Sequence, residues 1–234
     1  MKKFTTTVSA AALVALTAPA GMAATIIIDD FTTSQRVSDT DGPNTLVDVF
    51  APEAIGDRRD MFVTTDQKPR IGGSVLESNG GLLSFSNASN QTGEATLVYD
   101  GLAGAGLGGA SGLDLTDNGT NNRFLFSDPD GDLPGTFFLA TVTDINGASS
   151  EYDELFDLTL DPFLRFSEFT GLAEFDKVAS ITFTFDTRDV ANFDGSISRI
   201  SVVPLPASAL LLLGGLGGFA GLSAANRRRR RKEA

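Results

Sequence analysis

The run Ile181-Thr182-Phe183-Thr184-Phe185 alternates apolar and polar residues without a break, the period of a strand with one face buried. Shorter runs of the same kind recur at residues 25–28, 60–64, 82–86, 95–99, 123–126, 137–143 and 197–203, separated by Gly, Asp, Asn and Pro. Turn residues at that spacing predict an all-β chain folded as an antiparallel β-sandwich over residues 24–202. Between the chain ends, residues 170–178 are the one helix candidate, read as a turn or two within a connection. The glycine-rich stretch 101–112 lacks the Lys-Ser/Thr of a phosphate loop and a helix after it, so a hairpin or inter-sheet loop is expected.

The two ends follow different patterns. Lys2 and Lys3 precede an apolar stretch at residues 8–16, and residues 18–23 end on small side chains. This is the layout of a secretory signal peptide (1–23) cut after Ala23. At the other end, residues 207–225 form 19 uncharged residues. As a helix that span is about 28 Å long, close to a hydrocarbon core of about 30 Å. Gly214/Gly218 and Gly217/Gly221 have the spacing that lets membrane helices approach closely. Arg227, Arg228, Arg229, Arg230, Arg231 and Lys232 follow, a cluster expected to stay cytoplasmic. A plain single-span anchor is one reading of this region.

The other reading comes from the element before the span, Val203-Pro204-Leu205-Pro206-Ala207. With the span and the basic cluster, residues 203–234 resemble the C-terminal sorting signal of the PEP-CTERM class, in its VPLPA variant. The resemblance implies a Gram-negative source, export past signal peptidase and transient anchoring in the inner membrane. It further implies processing by an exosortase-type protease, then a surface or extracellular location near exopolysaccharide.

Setting the ends aside changes the charge. The whole chain has 18 basic and 30 acidic residues, but eight of the basic ones and one acid lie in the two terminal segments. Residues 24–203 therefore hold 10 basic and 29 acidic residues, a formal charge of −19. A body so acidic is not expected to bind nucleic acid. Cysteine, histidine and tryptophan are absent. Their absence excludes disulfides, Ser-His-Asp and Cys-His nucleophiles, and zinc sites built on His and Cys. Carboxylate chemistry is what remains, and no acidic pair stands out for it, so no enzyme activity is expected. Most of the 18 phenylalanines fall in the body and predict its core.

Ile28-Asp29-Asp30-Phe31, Phe175-Asp176-Lys177-Val178-Ala179-Ser180-Ile181-Thr182-Phe183 and the Ile-rich stretch 194–202 resemble jelly-roll domains of the galactose-binding-like type. The resemblance implies a jelly-roll-like sandwich, a fold many carbohydrate-binding modules share. One acidic turn bears on metal binding: Asp128, Asp130 and Asp132 alternate around Gly131, which can present several oxygens to Ca2+. The twelfth position from Asp128 is Leu139, so it is not an EF-hand. The same residues also serve ordinary Asp-Pro and Asp-Gly turns, and both readings stand. The sequence thus predicts a non-catalytic exported matrix protein, with a carbohydrate-binding jelly roll supported by calcium as the alternative.

Overall fold

Nearly every alternating run becomes a strand because one face of it can be buried against a second sheet. The computed structural model describes residues 24–39, 46–65, 72–131, 136–155 and 160–204. The predicted signal peptide (1–23), Asp132, Leu205, Pro206, Ala207, the span 207–225 and the cluster Arg227 to Lys232 lie outside the described residues. In chain order the strands are β1 (Ile26–Asp29), β2 (Gln35–Ser38), β3 (Val47–Phe50), β4 (Arg58–Thr65), β5 (Ser74–Asn79) and β6 (Leu82–Asn87). Then come β7 (Gly93–Tyr99), β8 (Asn121–Ser127), β9 (Asp130–Gly131), β10 (Phe137–Asp144) and β11 (Ser149–Leu155). The last are β12 (Phe163–Arg165), β13 (Thr170–Gly171), β14 (Val178–Asp186), β15 (Asp194–Ile197) and β16 (Arg199–Pro204).

One layer is a seven-stranded sheet in the order β13-β11-β10-β14-β7-β4-β3. The other is divided into a four-stranded sheet, β1-β16-β8-β12, and a five-stranded sheet, β2-β5-β6-β15-β9. The consecutive strands β8 and β9, and likewise β15 and β16, fall one in each of the two smaller sheets. At the joint, Ser198 N–H donates to the Ser127 carbonyl at 2.9 Å. The opening and closing strands are neighbours, with Ile26 opposite Val202 and Asp29 opposite Ile200.

The phenylalanines form the core, as expected. Phe183 of β14 has its ring centre 5.3 Å from Phe124, 5.5 Å from Phe126, 6.0 Å from Phe138 and 6.4 Å from Tyr99. It thereby ties the seven-stranded sheet to the four-stranded one. Leu83, Phe85, Phe193 and Ile197 gather with Phe185 around a small half-open pocket of about 20 Å³, where the five-stranded sheet meets the same layer. These rings are buried, and their edge and tilted contacts add to the burial of apolar area.

The helix candidate at 170–178, read as a turn or two within a connection, is a two-residue strand followed by such a connection. Thr170 and Gly171 pair with Glu151 and Ser150 as β13, and the chain turns before β14 begins at Val178. A Cβ on Gly171 would sit 2.2 Å from the Ser149 carbonyl oxygen, so only glycine permits this close pairing. Phe169 and Phe175, which flank and follow β13, pack on each other and on Phe124 and Phe166. The glycine-rich stretch is a connection with two short 3-10 turns, Leu102–Gly104 and Gly109–Ser111. Buried Leu107 pins it, and Leu113 is bridged to Val178.

Candidate functional site

The acidic opening Asp29-Asp30-Phe31 builds a polar centre inside the sandwich. Asp29 ends β1 fully buried, and Phe31, also buried, is held at φ +56°, a conformation rare for a bulky residue. Its N–H donates to Asp29 Oδ1 at 2.8 Å, which stabilises the turn. Arg59 of β4 enters this turn with no exposed surface. Its Nη1 donates to both oxygens of Asp29 at 3.1 and 2.9 Å, Nε to Gln35 Oε1 at 2.9 Å, and Nη2 to the Thr33 carbonyl at 2.7 Å. The guanidinium lies 5.7 Å from the Phe31 ring centre. Tyr99 O–H donates to Asp29 Oδ2 at 3.0 Å. Burial pushes the Asp29 carboxyl up, opposed by Arg59, the Phe31 N–H and Tyr99. The same burial, with Asp29 beside it, pushes the Tyr99 phenol well up, so Tyr99 remains a donor.

Asp29, Asp30 and Glu53 bring carboxylate oxygens within 4.8 Å of one another, the grouping among the described residues that could hold a metal ion. Calcium wants six to eight free oxygens. Here Asp29 already accepts from Arg59, Phe31 and Tyr99, and Glu53 accepts from Thr33 N–H and Oγ1 at 2.7 Å each. The Arg59 guanidinium stands 3.8 Å from Glu53 and supplies the positive charge the acids need. Only Asp30 Oδ1 is buried without a partner. The residues present fit a guanidinium, not a calcium ion. The sequence hinted at the acids but not at Arg59, whose neighbour Arg58 looks identical.

The calcium expectation at Asp128, Asp130 and Asp132 falls where β8 crosses to β9. Asp128, at φ +49°, accepts from Ser198 Oγ at 2.7 Å, and Asp130 accepts from the Gly131 N–H at 2.9 Å. Asp130 thus bonds locally, to the next residue, whereas Asp128 is tied across the sheet joint to Ser198. Val203 and Pro204 of the tail motif are strand residues, opposite Arg123 and Asn121 of β8.

Asp130 also lines a groove on the outer face of the five-stranded sheet. The groove is open to solvent and spans about 320 Å³ between β6, β15 and β9. Leu82, Ser84 and Ser86 come from β6, Asp194 and Ser196 from β15, and Asp130 with Gly131 from β9. Register brings them together: Ser86 faces Asp194, and Ser196 faces Ser84 on one side and Asp130 on the other. The intervening Leu83, Phe85 and Ile197 are buried in the core, so strand alternation fixes the polar row outward. A Cβ on Gly131, at φ +108°, would meet the Asp194 carbonyl oxygen at 2.1 Å. Glycine is therefore what lets β9 close the groove. The next polar side chain across the sheet is Glu77, opposite Ser84 and 3.7 Å from Arg36. The groove's lining thus offers hydroxyls, carboxylates and the apolar Leu82 and Phe85, and no cation. Sequence reasoning found Asp130 but missed the serines, which look like filler in alternating strands.

No known protein family matches the chain, and no curated protein does. Among solved structures the chain is similar to a family 11 carbohydrate-binding module from Clostridium thermocellum in complex with a β-1,3-1,4-mixed-linked tetrasaccharide. Identity is 11%, coverage 74% of this chain and 96% of that one, and the TM-score 0.30. A solution structure of CtCBM11 gives 11% identity, coverage of 81% and 99%, and a TM-score of 0.34. A third, PfGH50B, gives 11% identity and a TM-score of 0.35 over 62% of this chain, which spans only 22% of that protein.

Proposed function

We propose that this chain is an exported, non-catalytic binding protein. In this reading it takes a saccharide on the outer face of its five-stranded sheet, in a jelly-roll-like sandwich. The observation that carries the reading is the groove of about 320 Å³ lined by Ser84, Ser86, Ser196, Asp130 and Asp194. Its volume falls in the range of small-molecule sites. Saccharide hydroxyls both donate and accept, and a row of serine hydroxyls flanked by carboxylates matches them, while Leu82 offers a surface to a sugar's C–H face. Without a cation in its lining, the groove has nothing to favour an acidic polymer.

Export and processing complete the proposal. The signal peptide would send the chain out, and an exosortase-type protease would act at the 203–207 motif. The mature domain would then stand at the surface, among exopolysaccharide. Because β16 runs to Pro204, a cut beyond that residue spares the sandwich.

A glycan array followed by calorimetry tests the binding claim. Saturable binding to a defined saccharide, lost in Ser84→Leu and Ser196→Leu with the fold intact, is expected; silence across the array overturns it. Repeating the titration with calcium tests Asp128, Asp130 and Asp132. There, a calcium-dependent rise in Tm abolished by Asp130→Ala is the supporting result, and no shift removes the ion. Intact mass of the native protein tests processing. A species ending within 204–207 is expected, and one retaining Arg227 to Lys232 refutes cleavage.

A further inference from the structure

β3 is the outermost strand of the seven-stranded sheet and only four residues long. Its register sets Asp48 directly opposite Asp60 of β4, and Val49 opposite Arg59. Arg59 points into the core, so Asp48 and Asp60 share the outer face. Like charges directly opposed weaken an antiparallel pair.

The surroundings do not relieve them. From β4 itself, Arg58 faces the pair, but its Nη1 donates to Asp48 at 3.0 Å and its guanidinium lies 6.0 Å from the Phe50 ring centre. Its Nε is buried without a partner. Arg58 is thus engaged with both Asp48 and Phe50 of β3, leaving Asp60 without a hydrogen bond from it. From β7, Val98 stands opposite Asp60 and brings no charge, while Asp100 follows just past the strand end. Glu94 lies four residues back along β7, opposite Thr64. Burial, then Asp100 and Asp48, push the Asp60 carboxyl up to about 6, and Arg58 opposes them. Asp100 is itself pushed up, by burial and by Asp48.

We propose that β3 is an acid-fastened edge strand: it stays paired to β4 while Asp60 is protonated and opens more often once Asp60 is charged. The carboxylic acid removes the repulsion with Asp48 and can donate to a neighbouring carboxylate. The carboxylate restores the repulsion, against which the β3–β4 ladder, Arg58 and the Gln35 Nε2 bond to the Val47 carbonyl hold the strand. Opening would bare the Arg58–Met61 stretch of the β4 edge, a row of backbone groups able to pair with another strand.

Amide hydrogen exchange of the full-length protein tests this, read at residues 47–50 and at central β10 from about pH 3.5 to 8 and corrected for intrinsic rates. Asp60 is partly solvated, so screening by solvent reduces the effect. The opening of β3 should therefore grow about tenfold as pH rises through 6, with β10 unchanged. Asp60→Asn should keep β3 protected at every pH, and Asp100→Asn should move the midpoint lower. Flat protection of β3 across this range, an equal change in β10, or a pH dependence that survives Asp60→Asn would each overturn the proposal.

Discussion

Replacing Arg59 with methionine tests whether the buried ionic centre holds the opening strand in place. The substitution keeps roughly the length of the apolar stem but removes four hydrogen bonds, two of them to Asp29. It leaves Asp29 buried with a charge and no cation. Removing one partner of a buried pair costs about 3–5 kcal/mol. The lower end applies here, because the Phe31 N–H and Tyr99 O–H still donate to Asp29. A loss of about 3 kcal/mol is expected, a large part of the roughly 5–15 kcal/mol that stabilises an ordinary domain. With no tryptophan in the chain, urea unfolding is followed by far-ultraviolet circular dichroism. The pH dependence gives an internal check. Burial already raises the Asp29 carboxyl, and losing Arg59 raises it further, so Arg59→Met should cost less as pH falls and Asp29 takes up a proton. Adding Asp29→Asn should recover much of the loss, since the amide oxygen can still accept from the Phe31 N–H while the amide NH2 can donate to the Tyr99 oxygen. A cost under about 1 kcal/mol, or a double variant no better than the single one, would refute the assignment of Arg59 as the counter-charge of Asp29.

Three further outcomes are expected. Phe183→Ala should cost about 3–5 kcal/mol in the same unfolding assay, because Phe183 is fully buried among Tyr99, Phe124, Phe126 and Phe138; a cost below about 2 would mean that the two layers do not meet at this ring. Gly112→Ala should lower stability by about 1–3 kcal/mol, since the residue sits at φ +72° and its Cβ would lie 2.5 Å from the Lys177 carbonyl carbon; an unchanged midpoint would refute that close approach. Stability should also fall as pH rises from 3.8 through about 6 on account of Asp60, which binds its proton more tightly folded than unfolded. After allowance for solvent screening the effect is about 1 kcal/mol, and comparing Asp60→Asn with the parent across pH isolates it.

The strands that could be read from the chain are those whose inward positions are large and apolar. β14 announces itself through Ile181, Phe183 and Phe185, and β10 through its alternation. β2 (Gln35–Ser38) and β11 (Ser149–Leu155) were missed for the opposite reason. Gln35 is turned inward to bond Arg59, and β11 buries little beyond Tyr152 and Ser150. Their place in a sheet comes from neighbours that supply the hydrogen bonds, not from their own hydrophobicity. The two-residue β13 is an extreme case, a pairing possible only because Gly171 lets the backbones meet.

The site shows the same division. Asp130 drew attention as one of three alternating acids, yet what surrounds it is a serine row from β6 and β15, far away in sequence. Asp29 and Asp30 drew attention as an acidic opening, but the cation beside them arrives from β4, 30 residues from Asp29. Local composition, alternation and turn residues determined the all-β class, the aromatic core and the polar outer faces, because burial of every second side chain is a local property. Which charge meets which was decided only by tertiary structure. It gave Arg59 rather than Arg58 to Asp29, set Asp48 against Asp60, and gathered the serines with Asp130 and Asp194. Strand register is a long-range choice, and a shift of one residue would exchange every one of those partners.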